Sequence, residues 1–326
     1  MDIGIIGLGR MGANIARRLM RAGIGCVVHD HNPDAMAIVA ADGGRPASSI
    51  DQVVAQLTPP RAIWLMLPLG AVTEQAIATM GAKLAPGDIL IDGGNSFFKH
   101  SVRRGQALGQ RGIRFLDVGT SGGVWGLERG YCMMIGGETE AVRYLDPVFA
   151  ALAPGKGDID TTPNRHNRDP RVEMGYMHCG PVGSGHFAKM IHNGIEYGMM
   201  QAYAEGFNIL ETRSDSKLPE AERFSYDMAD LAEVWRRGSV VSSWLLDLSA
   251  IALAKDQQLS NYSGEVADSG EGRWTVEAAI EQAVPAVVLA AAIFARFRSR
   301  RDHTFAEKLL SAMRFEFGGH VEVKEK

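Results

Sequence analysis

The chain has 326 residues, 46% hydrophobic and 22% charged, enough for two domains with real cores and ordinary for a globular protein. A formal net charge of -4 gives no general reason to bind nucleic acid, and the longest apolar run, 283–295, is broken by Pro285 and too short to span a bilayer. Cys26, Cys132 and Cys179 lack metal-ligand spacing, which implies reduced thiols in a cytoplasmic protein and no metal site.

Met1-Asp2 leads straight into an apolar strand without a basic leader, so no signal peptide is expected. That strand, Ile3-Gly-Ile-Ile-Gly-Leu-Gly-Arg-Met-Gly, runs into Gly7, Gly9 and Gly12, and a helix is predicted over roughly Arg10–Arg21. A G-x-G-x-x-G turn between strand and helix is the setting in which the bare backbone approaches a pyrophosphate, held by free N–H groups at the helix start. The second strand, Gly25-Cys-Val-Val-His-Asp, ends on Asp30. A carboxylate there accepts bonds from both adenosine ribose hydroxyls and repels a 2′-phosphate. With His31 and Asn32 following rather than arginine, NAD is favoured over NADP. The bland alternative is that Asp30 only caps the junction before Pro33.

Strands continue at 61–67, stopped by Pro68, and at 87–92, whose end carries Asn95 and Ser96. A helix is predicted over Val72–Leu84 between them. Further strands at 113–118 and 131–137 flank Gly119-Thr-Ser-Gly-Gly, so Ser121, Gly122 and Gly123 also fall at a strand end. Strands alternating with helices predict a mostly parallel doubly wound sheet with ligands beyond its carboxyl ends. Between 156 and 179 the pattern lapses into a polar, proline-containing loop, and His166 and His178 read as incidental.

Gly180-Pro-Val-Gly-Ser-Gly then opens a helix on which Lys189, His192, Asn193, Glu196 and Tyr197 recur at i, i+3, i+4, i+7 and i+8. One face would carry a base, two polar anchors, an acid and a phenol, a layout suited to acid–base chemistry on a polar substrate. The alternative is a partly solvated face with an ordinary lysine–glutamate pair. Helical patterns follow at 187–212, 218–237, 240–254 and 275–314. Arginines cluster late at 273, 296, 298, 300, 301 and 314, either as a solvated face or as a phosphate site. The expected architecture is an α/β Rossmann-type doubly wound domain, residues 1–178, followed by an all-α domain, residues 179–326.

These residues carry a resemblance. The turn at 7–12 and the spacing Gly180, Gly183, Gly185, Lys189, Asn193 are similar to those of the β-hydroxyacid dehydrogenase superfamily. Asp92-Gly-Gly-Asn-Ser, Ser121-Gly-Gly, Ile191-His-Asn-Gly-Ile-Glu-Tyr, Gly272-Arg-Trp-Thr, Phe294-Ala-Arg and Arg314-x-x-Phe-Gly-x-His320 narrow it. The chain resembles the 6-phosphogluconate dehydrogenases in their short form with one helical domain, and the likeness runs nearly end to end.

The resemblance implies oxidative decarboxylation of 6-phospho-D-gluconate to ribulose 5-phosphate and carbon dioxide, in the pentose phosphate pathway. Lys189 is then the base for the C3 hydroxyl and Glu196 the acid that protonates C1, beside His192 and Asn193. Both roles call on pKa values tuned by burial and neighbouring charge. Asn95, Ser121, Gly122, Gly123, His192 and Asn193 are expected to hold the sugar acid, and Tyr197, Arg273, Arg296, Arg314 and His320 its phosphate. The cofactor set is Gly7, Leu8, Gly9, Arg10, Met11, Gly12, Asp30, His31, Leu67, Pro68 and Asn95. Arg314 and His320 are expected to reach a neighbouring subunit's site, making a homo-oligomer, dimer or tetramer, the working form.

Three departures stand out. Arg273 replaces the lysine of many members; Asp30-His31-Asn32 replaces the Asn-Arg-Thr common in NADP-dependent ones; the loop at 158–178 is longer than expected. The competing readings are a β-hydroxyacid dehydrogenase without decarboxylation and a catalytically silent NAD-binding sensor. Glu196, His192 and the late arginines speak against the first, and the joint presence of Lys189 and Glu196 against the second. A nucleic-acid binder is disfavoured by the acidic balance and the lack of interleaved aromatics.

Overall fold

The computed structural model describes residues 1–318, and the chain divides into two compact units, Met1–His192 and Asn193–Lys326. In the first unit β1 (Asp2–Ile6), α1 (Arg10–Arg21), β2 (Gly25–His29), α2 (Pro33–Ala41), β3 (Arg45–Pro46) and α3 (Ile50–Ala55) make one half of a doubly wound sheet. The other half contains β4 (Ala62–Leu65), α4 (Ala71–Lys83), β5 (Ile89–Asp92), α5 (Phe98–Gly109) and β6 (Arg114–Ser121). After these come the short α6 (Gly126–Arg129), β7 (Cys132–Gly136), α7 (Thr139–Tyr144), α8 (Asp146–Leu152) and β8 (Tyr176–Gly180). The strand order is β3-β2-β1-β4-β5-β6-β7-β8. Every neighbouring pair is parallel except β6 with β7. The order reverses between β1 and β4, which is the crevice where such sheets take their ligands.

Alternation along the strands builds a core on each face, because successive side chains point to opposite sides. Ile3, Ile5, Trp64, Ile89, Ile91, Leu116 and Val118 join one buried cluster. Their neighbours Ile6, Ile63, Leu65, Leu90 and Phe115 join the other. Helices cover both, as the unbroken apolar runs predict.

β8 is a correction to the sequence reading, which ran the polar loop on to residue 179. Tyr-Met-His-Cys-Gly has no β-branched residue, so propensity does not announce it. It forms by pairing with β7, and His178 Nε2 lies 2.8 Å from the carbonyl oxygens of Gly137 and Gly180.

The 28-residue α9 (Ser184–Glu211) runs through the division of the chain. In the second unit α10 (Met228–Arg236) is capped by Asp227, and α11 (Trp244–Lys255) by Ser243. Met228, Ala232, Leu246, Ala250 and Leu253 make their shared core. α12 (Glu271–Glu281), α13 (Val287–Ser299) and α14 (Phe305–Gly318) divide the helical stretch expected over 275–314. Pro285 cannot donate to the preceding turn and so ends the run. The segment expected to be helical from 218 instead holds Pro219 and only a short 3-10 turn at Glu220–Glu222 before α10 begins.

Candidate active site

The first glycine turn leaves β1 at Gly7, whose φ is +91°; a Cβ there would stand 2.3 Å from the Met66 carbonyl oxygen. Only glycine fits such a position. The start of α1 has Gly9 at its cap, no side-chain cap and no acid in its first turn, so its free N–H groups stay available to an anion. Asp30 closes the turn from β2. Its Oδ2 accepts the Leu8 N–H at 2.6 Å, and its Oδ1 accepts the Asn32 N–H at 2.8 Å with His31 Nδ1 3.1 Å away. A carboxylate has about four acceptor sites, so capacity for a ribose hydroxyl remains. Leu67 packs beside Gly7, and the Pro68 carbonyl accepts the Thr73 hydroxyl at 2.7 Å. These features fit a dinucleotide, with Arg10 and Met11 opening the helix.

At the end of β5 the Asn95 loop is tied down by Asp92, which is 1% exposed. Its Oδ1 accepts Gly94 N–H at 3.1 Å; its Oδ2 accepts Ser96 Oγ–H at 2.7 Å and Arg104 Nη1–H at 2.8 Å. Buried Arg104 also donates to Ser96 Oγ at 3.1 Å and to Glu74 at 2.8 Å. Asn95 sits exposed between two residues anchored to the same carboxylate.

β6 meets α9 along one face. Residues 117, 119 and 121 point the same way because the strand period is two. Asp117 accepts backbone N–H groups at the helix start, the backbone of Gly119 lies against Lys189, and Ser121 Oγ lies 3.4 Å from His192 Nε2. Lys189 is buried, and its Nζ lies 3.4 Å from His192 Nδ1. Cys132 stands opposite Ser121 in the β6–β7 ladder; desolvation holds its thiol above the ordinary value, and the nearby Lys189 offsets only part of that.

Farther along the same helix face come Asn193 and Tyr197, both buried, and Glu196. In the second unit the Arg296 guanidinium stacks 3.5 Å from the centre of the Tyr197 ring and donates to the Ala267 carbonyl at 2.8 Å. The Tyr197 hydroxyl accepts the Ser269 N–H at 3.3 Å, while Ser269 Oγ donates to Glu271 at 2.5 Å. Arg273 and Arg300 both grip Asp268, at 2.7 and 3.0 Å. Hydrogen bonding from Arg273, and then from Arg300, holds that carboxyl down at about 2. Two guanidiniums thus hold one acid, and a third, Arg296, bonds to the carbonyl of the residue before it.

Residues 2–161 match the family described as the NAD binding domain of 6-phosphogluconate dehydrogenase, and residues 185–321 match its C-terminal domain. The Bacillus subtilis protein YqeC, which bears a provisional 6-phosphogluconate dehydrogenase name, is 40% identical over 325 residues, covering 100% of both chains. The chain belongs to the 6-phosphogluconate dehydrogenase family. An NAD(+)-dependent, decarboxylating 6-phosphogluconate dehydrogenase of Haloferax volcanii is 38% identical, covering 98% of each chain. The solved Plasmodium falciparum 6-phosphogluconate dehydrogenase superposes with a TM-score of 0.76 at 25% identity, over 100% of this chain and 67% of that one. The chain is therefore an oxidoreductase of this family with a Rossmann-type domain for a nicotinamide cofactor. Among the described residues no helix is long and apolar enough to cross a membrane, and no group of His, Cys, Asp or Glu is arranged for a metal.

As a member of this family, the chain brings Lys189, His192 and Ser121 together in its first unit, and Tyr197 with Arg296 in its second. Arg273 is engaged by Asp268, and Arg314 lies exposed on α14; His320 falls outside the described residues. Sequence reasoning missed Asp117, Arg104, Asp268, Ser269 and Glu271. Asp92 and Ser269 were adjacent to recognised motifs, but Arg104 and Asp117 carry no local signal.

Proposed function

We propose that the protein oxidatively decarboxylates 6-phospho-D-gluconate to D-ribulose 5-phosphate and carbon dioxide, with NAD preferred over NADP. The observation that carries this reading is the buried Lys189 beside His192, on the same helix face as Glu196. A simple hydroxyacid dehydrogenase needs a base but no second acid, and no arginine cluster such as 273, 296 and 300.

The glycine turn at Gly7, Gly9 and Gly12 would hold the nicotinamide cofactor, which when bound would supply the hydride acceptor for C3. Lys189, neutral beforehand, takes the C3 hydroxyl proton onto Nζ. The product is a 3-keto acid whose carboxylate is β to the new carbonyl. Protonated Lys189 then donates toward the C3 oxygen, stabilising the negative charge that develops there as the C1–C2 bond breaks and carbon dioxide leaves. Glu196, entering protonated, delivers its proton to the carbon that lost the carboxylate while Lys189 takes back the enediol hydroxyl proton, and the enediol becomes the ketose. Asn95, Ser121, Gly122, Gly123, His192 and Asn193 orient the polyol and carboxylate. Tyr197, Arg273 and Arg296 take the phosphate, where a guanidinium supplies parallel donors.

Residues 1–178 serve the cofactor and 179–326 the substrate. NAD preference is supported by the placement of Asp30 at the glycine turn and by the Haloferax relative's name. A homo-oligomer in which Arg314 and His320 complete a neighbour's site is supported by exposed Val287, Val288, Phe294 and Phe305. An apolar cavity of about 580 Å³ lined by Tyr203, Phe207 and Leu253 adds to that support. A cytoplasmic setting suits the three free cysteines.

The test is Lys189→Met. Turnover falls by at least about 10²–10⁴-fold, the range for a lost acid–base group, while NADH still binds. Turnover within tenfold of the parent enzyme refutes the assigned base.

A further inference from the structure

A 28-residue helix starts with backbone N–H groups that have no partner within it and with the positive end of its dipole. In α9 the first intrahelical bond is Phe187 N–H to the Gly183 carbonyl, so the groups before it need partners from elsewhere. The Pro181 carbonyl supplies one for the Ser184 N–H, at 3.0 Å, but not for Gly183 or His186. Asp117, two strand positions before the backbone that meets Lys189, does so instead. Its Oδ1 accepts the Gly183 N–H at 2.6 Å and its Oδ2 the His186 N–H at 2.7 Å. The carboxylate is 0% exposed and makes both bonds in the interior, where charge-assisted bonds are strongest.

The same strand touches the same helix again two residues on. A Cβ built on Gly119 would stand 2.3 Å from Lys189 Cβ and 3.0 Å from the Gly185 carbonyl oxygen. Neither is the free end of a flexible side chain, so Lys189 is seated directly against strand backbone. A third contact follows, Ser121 to His192. The helix start is held from a second side by His186, whose Nδ1 lies 2.7 Å from Ser101 Oγ on α5.

We infer that Asp117 is a positioning residue for the reaction: by capping α9 from β6 it sets the height and rotation of the helix, and with them the place of Lys189 and His192. The inference rests on the reading of Lys189 as the base. Its chemistry is specific to an anion with two equivalent acceptors. Asparagine at this position keeps one acceptor but turns an NH₂ donor toward the other backbone N–H, and two donors face to face push the helix start away. Lys189 lies less than two turns beyond. A misplacement of about 1 Å at a catalytic group costs on the order of 100-fold in rate.

The experiment uses the full-length enzyme with Asp117→Asn and Gly119→Ala, each assayed for kcat, for KM toward NAD, for NADH affinity by fluorescence titration, and for folded fraction by thermal melting. Gly119→Ala displaces Lys189 with the cap left in place. Both variants are expected to lose roughly 10–100-fold in kcat per folded molecule, while KM for NAD and NADH affinity stay within about twofold. A generally loosened fold would move the cofactor constants as well, and that result overturns the inference. So does folded Asp117→Asn with kcat within threefold of the parent. Should Asp117→Asn fail to fold, Gly119→Ala decides, and a normal kcat there overturns it. Failure of the underlying reading is separable: full turnover in Lys189→Met removes the base itself, whereas an inactive Lys189→Met beside a fully active Asp117→Asn removes only the positioning role.

Discussion

Replacing Arg104 by methionine cuts the brace under the Asn95 loop while keeping most of the side-chain volume. Arg104 and Asp92 have side chains 3% and 1% exposed, so the change strands a carboxylate where water cannot reach it. Removing one partner of a buried pair costs about 3–5 kcal/mol, because the surviving charge loses its compensation. Glu74, at 40% exposure and still paired with Arg103, adds little to that loss. For a domain of this size the cost corresponds to a fall in Tm of about 6–20 °C. The assay is urea and thermal unfolding of the whole chain followed by circular dichroism. The double variant Asp92→Asn with Arg104→Met removes the stranded charge and is expected to recover part of the loss. In that variant the amide oxygen still accepts the Gly94 N–H, and the Ser96 hydroxyl can turn to accept from the amide NH₂. The substrate KM is expected to rise in the single variant, since the carboxylate that anchors both neighbours of Asn95 loses its brace. A loss under about 1 kcal/mol, or a double variant no more stable than Arg104→Met, would refute the argument that this pair is a buried charge balance.

Other consequences are equally open to measurement. Arg296→Met should raise KM for 6-phosphogluconate about 10–100-fold, the worth of a charged hydrogen bond, with NAD affinity unchanged; an unchanged KM takes Arg296 away from the phosphate. Asp30→Ala should raise the NADP-to-NAD ratio of kcat/KM by about 10-fold or more while slowing both, because the Leu8 N–H loses its acceptor too. A constant ratio would dissociate Asp30 from the ribose. Asp268, ordinarily near 3.8 and held at about 2 by Arg273 and Arg300, contributes stability that is complete above its ordinary value and lost as pH falls through the lowered one. The gap in Tm between the parent and Asp268→Asn should therefore be full at pH 5 and close towards pH 2. A gap independent of pH would contradict the assignment.

Much of this was legible in the chain because local chemistry spells it out. Apolar runs punctuated by glycine turns gave the alternating strands and helices, and the turn at Gly7 stands at a strand's carboxyl end, at the switch point between β1 and β4. The helix face from Lys189 to Tyr197 follows from a 3.6-residue period and nothing else. What stayed hidden depends on partners distant in sequence. Asp117 meets the start of α9 across 66 and 69 residues, and Arg300 meets Asp268 across 32. Neither pairing has a spacing that propensity can reveal. β8 escaped for the related reason that its neighbour, not its composition, makes it a strand. The helical stretch expected over 275–314 is helical but divided, and Pro285 marks its first break.

The central claim is that one enzyme couples oxidation to loss of carbon dioxide. Initial rates with 6-phosphogluconate and either NAD or NADP, following reduced cofactor and released carbon dioxide in the same reaction, test it most directly. The account predicts equal amounts of the two products, formed faster with NAD. Reduced cofactor without carbon dioxide, or tight NAD binding with no turnover, would contradict it.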